Sequence, residues 1–224
     1  QEASGYGSQF SIRVSDSVAG GARELTDLVL PVPGRYNIQN ALAAFAVAAE
    51  VGVPDDKIRE ALASFGGVKR RFTFTGTWNG VDFFDDYAHH PVEISAVLDA
   101  ARRTTSGRVI AIVQPHRYSR LHDLFDDFCS CFSAADAVLV APVFAAGEEL
   151  IPGADHRALV EGIRRNGKND AIAVESPADL GPILARFAQP GDVVLGLGAG
   201  TVTEWSHALP HELNAMRQVV GGAG

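Results

Sequence analysis

The chain has 224 residues and a formal charge of −8, with 46% apolar and 21% charged residues. These proportions are typical of a globular protein, and the length is sufficient for one large hydrophobic core or two smaller ones. The negative charge argues against a general nucleic-acid-binding protein, which would present a basic face. No apolar run is long enough to span a bilayer, so we expect no membrane partner.

The two cysteines favour a reducing compartment. Cys129 and Cys131 lie two residues apart on a predicted helix, so their side chains diverge. We therefore expect neither a disulfide framework nor a zinc site. Because the sequence also shows no signal-peptide pattern at its start, we predict a cytoplasmic protein.

The first predicted elements are two helices that follow a Gly/Ser-rich stretch with short β-like segments, residues 1–30. That stretch resembles the edge of a structure that begins upstream. Gly52 closes the first helix, and the second begins at Pro54 and stops at residues 66–67. The apolar positions of the first helix have helical spacing: Ile38, Ala41, Leu42, Phe45 and Ala49.

A change of pattern near residue 71 predicts a domain boundary there. Residues 72–77 and 81–85 read as a hairpin joined at Asn79-Gly80. Strand and helix patterns then alternate, which predicts an α/β fold with a Rossmann-like, doubly wound and mostly parallel sheet. The predicted helices are 91–103, 120–134, 156–165 and 178–187, and the predicted strands are 109–113, 137–141, 171–174 and 193–197.

Polar residues follow the ends of four predicted strands. The segments are "DDYAHHP" (85–91), "QPHRYSR" (114–120), "PVFAAGE" (142–148) and "GLGAG" (196–200). In open parallel sheets, ligands bind beyond the carboxyl ends of the strands. We therefore expect the four segments to converge on one rim of the sheet.

The segment "DDYAHHP" carries more titratable groups than a turn needs. Pro91 suits the first position of a helix, and one carboxylate before it would serve as an N-cap or dipole partner. That explanation accounts for only one of the two aspartates, Asp85 and Asp86. It does not account for His89 and His90. A metal site, a nucleotide held by hydrogen bonds and Mg²⁺ bound through water all remain open. No other ligand spacing is recognisable in the sequence, so we name no residue as a metal ligand.

The segment "QPHRYSR" places His116, Arg117 and Arg120 between a strand end and a helix start. Arginine suits bidentate recognition of carboxylate or phosphate, so these residues are candidates for binding an anionic substrate. The alternative is a solvated basic turn that pairs with one of Asp123, Asp126 and Asp127.

Three signals are weaker. Asn37 and Asn40 share a helix face and suit an adenine edge, although Asn37 as a mere N-cap fits equally well. Taken alone, Arg70 and Arg71 read as a solvated linker. The Gly-x-Gly-x-Gly run at 196–200 follows the last strand and lacks an acidic partner about 20 residues on, so we predict a tight strand-to-helix turn.

Together these segments resemble the Mur ligase family. The motifs occur in order between residues 28 and 206: "YNIQNALAA" (36–44), "GGVKRRF" (66–72), "DDYAHHP" (85–91), "QPHRYSR" (114–120), "AAGE" (145–148) and "GAG" (198–200). The resemblance implies an ATP-dependent ligase of peptidoglycan synthesis. It would join L-alanine to UDP-N-acetylmuramate through an acyl phosphate. The segment "QPHRYSR" favours this reaction over that of the related ligase that recycles murein peptides.

The resemblance also implies domains and residue roles. Residues 1–70 would end the central ATPase domain, and residues 71–224 would form the amino-acid-binding domain. Asn37 and Asn40 would bind adenine, and Arg71 and Asp86 would contact the phosphates and nucleotide. The substrate-binding residues would be Tyr87, His89, His116, Arg117 and Arg120. The catalytic residues would be Arg71, Asp86 and His89.

Some features of the family are absent from the sequence. The 224 residues contain no Gly-x-x-Gly-Lys-[Ser/Thr] phosphate loop, and Tyr36 stands where the family commonly has histidine. The Mg²⁺ ligands and the UDP-sugar domain are also missing. We therefore expect a piece of a longer ligase that uses ATP and Mg²⁺ and that is inactive alone. The rival hypothesis is a non-catalytic nucleotide- or anion-binding α/β module.

Overall fold

The computed structural model describes residues 7–167 and 170–221, with side chains up to residue 216. The first residues of the Gly/Ser-rich stretch, 1–6, lie outside this description. The chain forms two compact units, Gln1–Val68 and Lys69–Gly224. Each unit has a hydrophobic core of its own.

The first unit packs two helices against a two-stranded antiparallel ribbon. Its elements are β1 (Ser8–Val14), β2 (Arg23–Leu30), α1 (Arg35–Glu50) and α2 (Asp55–Ala63). Alternate residues of the ribbon and one stripe of each helix form the core, as their periodicities require. The core residues are Ile12, Val14, Leu25, Leu28, Leu30, Ala41, Phe45, Ala49, Ile58 and Leu62.

Helix α1 buries a narrower stripe than its sequence predicts. Leu42, predicted in the core, is 39% exposed, because the ribbon and α2 cover only the side of the helix that carries Phe45. The end of the helix follows the prediction: Gly52 adopts a left-handed φ of 83° directly after it.

The second unit is built on a six-stranded sheet. Its strands are β3 (Thr73–Trp78), β4 (Val81–Asp86), β5 (Val109–Val113), β6 (Ala137–Val140), β7 (Ala171–Ala173) and β8 (Val193–Leu197). The spatial order is β3-β4-β8-β5-β6-β7. Only β3 and β4 pair antiparallel, and the other pairs are parallel. The predicted α/β fold with a mostly parallel sheet is confirmed.

Helices cover both faces of this sheet. They are α3 (Pro91–Arg102), α4 (Tyr118–Asp123), α5 (Phe125–Ser130), α6 (His156–Arg165), α7 (Leu180–Phe187) and α8 (Val202–Gly221). Ile110 and Ile112 of β5 share a core with residues of α7 and α8. The alternate residues Val109, Ala111 and Val113 are equally buried and face the opposite side. A strand buried on both faces is continuously apolar, as the sequence of β5 is.

The hairpin turn between β3 and β4 also follows the prediction. Trp78 pairs with Val81, and Asn79 and Gly80 between them have φ values of 49° and 76°. Two consecutive left-handed residues form a type I′ turn, whose twist matches that of the flanking strands.

The predicted single helix over 120–134 is wrong. Two short helices, α4 and α5, meet at Leu124, which has φ −115° and ψ 25°. No Gly or Pro marks this break. Leu121 and Phe128 on either side of it are fully buried, so tertiary packing rather than local propensity sets it.

Two further observations concern the cysteines and the lengths of the helices. Cys129 and Cys131 are buried free thiols. Among the residues that the structure describes, no helix has both the length and the apolar character needed to cross a bilayer.

Candidate functional site

Four polar segments meet at the carboxyl ends of the parallel strands. They form the rim, defined as residues 85–91, 114–120, 142–148 and 196–200. The first and last of these segments include the final residues of β4 and β8, and the other two follow β5 and β6. The N–H of Gly198 donates to the carbonyl of Asp86 over 3.2 Å, and the N–H of Arg117 donates to the carbonyl of Phe144 over 2.8 Å. These bonds confirm the predicted convergence of the segments.

Four rings line the rim in a row, Tyr87, His89, His116 and Phe144. The distances between successive ring centroids are 5.0, 5.9 and 5.4 Å. The structure thus brings three predicted substrate-binding residues together. It adds Phe144, which the sequence analysis missed as an individual residue, although it lies in the quoted segment "PVFAAGE".

His116 is held in its neutral form. Burial lowers the pKa of its imidazole, and the positive charge of Arg120 lowers it further. Arg120 also donates from Nη1 to the backbone carbonyl of His116 over 3.1 Å. At neutral pH His116 can therefore both donate and accept a hydrogen bond at the rim.

Arg117 is held by the segment that follows β6. Its backbone has a left-handed φ of 73°, which is uncommon outside glycine. Its Nη1 lies 3.5 Å from Oε1 of Glu148, and Glu148 also accepts hydrogen bonds from the N–H and hydroxyl of Ser119 over 2.9 and 2.7 Å. Arg117 therefore pairs with Glu148 rather than with one of the predicted helix aspartates, while 50% of its side chain stays exposed.

Glu148 is charged at neutral pH. The hydrogen bonds from the N–H and hydroxyl of Ser119 lower the pKa of its carboxyl group, and Arg117 lowers it further. The sequence analysis did not single out Glu148, whose signal was its place at the end of "AAGE".

The two aspartates that end β4 are fully buried. Oδ2 of Asp86 accepts the N–H of Phe72 and Oδ1 accepts the N–H of Ala88, each over 2.8 Å. Burial raises the pKa of Asp86 to about 6. Both carboxylate oxygens of Asp86 thus accept hydrogen bonds from backbone N–H groups. A direct contact between Asp86 and a nucleotide stays a prediction. Asp85 instead accepts a hydrogen bond from the Thr203 hydroxyl over 2.5 Å.

The two arginines that precede β3 differ. Arg71 is exposed. Arg70 donates from Nη2 to the carbonyl of Gly198 over 2.7 Å, and its guanidinium lies 4.6 Å from the ring centroid of Tyr87. The linker interpretation is therefore wrong for Arg70, because its partners come from distant segments that sequence alone does not reveal.

The glycine run forms the strand-to-helix turn that its position predicts. Beneath it lies the side chain of Gln114, whose Nε2 donates to the Thr201 hydroxyl over 3.1 Å and whose Oε1 accepts the N–H of Val202 over 3.1 Å. Gly198 has φ 152°, and a Cβ added there would lie 2.8 Å from the carbonyl oxygen of Gln114. The glycines therefore allow a close backbone approach.

Replacing Gly198 with alanine is expected to lower the free energy of unfolding by about 3 kcal/mol, because the new methyl group meets rigid backbone. Gly153 is the matched control, since it also has a positive φ, 82°, but nothing lies within 4 Å of an added Cβ. Gly153→Ala should cost only about 1 kcal/mol, from backbone strain alone. Urea unfolding of the two variants measures the difference, and equal losses would contradict the close approach.

The predicted adenine-binding residues lie in the first unit. Asn37 and Asn40 are on α1, where Asn40 is exposed. Nδ2 of Asn37 donates to the carbonyl of Pro33 over 2.6 Å. The N-cap alternative for Asn37 is wrong, because Gly34 occupies that position with φ 101°.

No metal centre is evident in the part of the chain that the structure describes. Its residues include no group of three or more His, Cys, Asp or Glu side chains that could hold a metal ion.

Comparison with known proteins places these features in context. The chain is 59% identical over 210 residues to a UDP-N-acetylmuramate–L-alanine ligase of Methylorubrum extorquens, covering 94% of this chain and 45% of that protein. It is 60% identical over 208 residues to the ligase of the same name from Methylobacterium radiotolerans, covering 93% and 44%. The chain thus spans about half the length of the curated relatives it matches.

Solved structures of ligases also resemble this chain. A UDP-N-acetylmuramate–alanine ligase from Thermotoga maritima superposes with a TM-score of 0.71 at 27% identity, covering 87% of this chain and 43% of that one. A murein peptide ligase from Psychrobacter arcticus gives a TM-score of 0.61 at 24% identity, covering 94% and 42%. At that identity the second likeness shows the fold alone.

The family match coincides with the rim. Residues 70–200 match the family described as "Mur ligase, glutamate ligase domain". All four rim segments, of which the glycine turn is the last, fall inside this stretch. Since the match spans more than half of the 224 residues, this chain belongs to the Mur ligase family.

Proposed function

We propose that this chain is part of an ATP-dependent ligase that joins L-alanine to UDP-N-acetylmuramate in peptidoglycan synthesis. The observation that carries the proposal is the grouping of Arg117, Arg120 and the row of rings at the sheet's carboxyl edge. The identity to ligases of that name supports the choice of substrates. In this proposal residues 1–70 end the central ATPase domain, and residues 71–224 form the amino-acid-binding domain.

The proposed reaction has two steps. A carboxylate oxygen of the muramoyl group attacks the γ-phosphorus of ATP, and the bond to ADP breaks, which leaves an acyl phosphate. The amine of L-alanine then attacks the acyl carbon. The carbon–oxygen bond to phosphate breaks, the amine loses a proton, and inorganic phosphate leaves. Negative charge develops on phosphoryl and acyl oxygens, where fixed cations stabilise it.

The rim residues divide between the two reactants. Arg117 and Arg120 hold the alanine carboxylate, for which a guanidinium fork is suited. Tyr87, His89 and His116 form the wall beside the acyl phosphate, and the catalytic role proposed for His89 is hydrogen bonding to reacting oxygens there.

The nucleotide is proposed to contact other residues. Arg71 reaches its phosphates, and Asn37 and Asn40 bind adenine. Asp86 contributes through the backbone that it holds. ATP would enter as its Mg²⁺ complex, and the described residues include no group of three or more side chains that could hold a metal ion by themselves. We therefore assign no step with Mg²⁺ to them.

The test is product formation by the protein expressed from its complete reading frame. It is incubated with ATP, Mg²⁺, UDP-N-acetylmuramate and L-alanine, glycine or L-serine, and the nucleotide products are identified by mass spectrometry. We expect the L-alanine conjugate, formed only with ATP, and no turnover by the 224 residues alone, which lack a phosphate loop. Nucleotide binding without any conjugate would favour the non-catalytic binding module.

Glu148→Gln is expected to raise the KM for L-alanine by roughly tenfold, with a smaller change in kcat. Glutamine has nearly the same shape but loses the charge beside Arg117, so that the guanidinium is no longer held in one orientation. Glu149→Gln is the matched control, because Glu149 is adjacent and exposed. Initial rates at varied L-alanine measure both constants. Equal KM values for the two variants would show that Glu148 does not orient Arg117.

A further inference from the structure

We propose that Arg70 is a positioning residue that presents Arg71 and Tyr87 at the rim. This inference rests on the proposed function, in which Arg71 contacts ATP phosphates and Tyr87 lies beside the acyl phosphate. Arg70 itself contacts neither reactant in this proposal.

The side chain of Arg70 joins three parts of the unit. Its Nη2 donates to the carbonyl of Gly198 in the turn after β8 over 2.7 Å. The guanidinium Cζ lies over the ring of Tyr87, 4.6 Å from the centroid, and Nε lies 3.8 Å from Oδ2 of the buried Asp85. One planar group therefore stacks, donates and faces a carboxylate at once, which a lysine ammonium cannot do.

The backbone on both sides of Arg71 is fixed in an uncommon conformation. Arg70 has φ 60° and Phe72 has φ 48°, and non-glycine residues adopt such values only when their surroundings impose them. The N–H of Tyr87 donates to the carbonyl of Arg70 over 2.8 Å. The N–H of Phe72 donates to Asp86 over 2.8 Å. Two strained residues are thus anchored to the end of β4.

The side chain of Arg71, between these two residues, faces solvent. It is exposed, and within residues 7–167 and 170–221 its charge lowers the pKa of Asp86 without a salt bridge between the two side chains. By contrast, Phe72 is buried, with its ring centroid 4.5 Å from that of Phe84. Preorganised binding of a phosphate requires a cation that is exposed while the backbone on both sides of it is fixed, and Arg71 meets both conditions.

A double-mutant cycle on the complete protein tests the proposal. Arg70→Lys keeps the charge but removes the fork and the stacking, so we expect kcat/KM for ATP to fall by roughly 30-fold. In the Arg71→Ala background the same change should cost less than about threefold, because only the effect that acts through Tyr87 remains. Arg103→Lys, at the exposed end of α3, is the control and should leave the rates unchanged. Equal costs of Arg70→Lys in both backgrounds would overturn the proposal.

A second measurement separates this inference from the proposed function. Hydrogen exchange of the Tyr87 amide in the 224-residue chain needs no ligase activity. Arg70→Lys should accelerate it by about tenfold relative to the wild type and Arg103→Lys, since the amide bonds to the carbonyl of Arg70. Faster exchange in Arg70→Lys, together with no ligation by the complete protein, would contradict the proposed function but support the positioning role of Arg70. Unchanged exchange would overturn the positioning itself.

Discussion

Arg71→Ala in the complete protein is expected to lower kcat for L-alanine ligation by roughly 10³-fold, the effect of removing a cation that stabilises phosphoryl transfer. Arg71 is exposed between two anchored residues, so its removal deletes charge without disturbing the core. Initial rates of phosphate release measure the loss. Thermal unfolding should show the same midpoint as the wild type.

Arg103→Ala is the control for this experiment, because Arg103 is equally exposed but lies at the end of α3, outside the rim. Its rate should equal that of the wild type. If Arg71→Ala ligates within threefold of that rate, Arg71 does not contact the transferred phosphoryl group.

Asp86→Asn is expected to lower the free energy of unfolding at neutral pH by about 2 kcal/mol. The amide nitrogen of asparagine must face the N–H of either Phe72 or Ala88, which both donate to the carboxylate. One buried N–H is then left without an acceptor. Asp99→Asn is the control, since Asp99 is exposed on α3. Equal stability of the two variants in urea would contradict the buried arrangement.

The same substitution should change the response to pH. Burial raises the pKa of Asp86 from 3.8 to about 6, so the folded state binds a proton more tightly than the unfolded state. The resulting stabilisation, about 3 kcal/mol, is fully present below pH 3.8 and is lost as the pH rises through about 6. The stability gap between wild type and Asp86→Asn should therefore widen from pH 7.5 to 4.5. A gap that narrows on acidification would show that the folded pKa is not raised.

Local signals were sufficient to predict most of the fold. The turn at Asn79-Gly80 needs two left-handed residues, and the sequence supplies the pair that adopts them most readily. The continuous apolar run of β5 indicates burial on both faces. Parallel strands end at the same edge of a sheet. The residues that come after each predicted strand therefore sufficed to predict the rim.

The errors concern contacts between segments that lie far apart in the chain. Arg70 and Gly198 are separated by 128 positions, and Ser119 and Glu148 by 29. Composition and periodicity do not indicate which of many acidic groups or carbonyls an arginine will meet. The break at Leu124 is of the same kind, since packing of its neighbours decides it.

The most direct test of the account is the transfer of labelled oxygen. UDP-N-acetylmuramate with ¹⁸O at both carboxylate oxygens is incubated with the complete protein, ATP, Mg²⁺ and L-alanine, and the released phosphate is analysed by mass spectrometry. Ligation through an acyl phosphate predicts one ¹⁸O atom in each phosphate, because the carboxylate oxygen leaves with the phosphoryl group. Unlabelled phosphate, or label in AMP, would contradict the proposed chemistry.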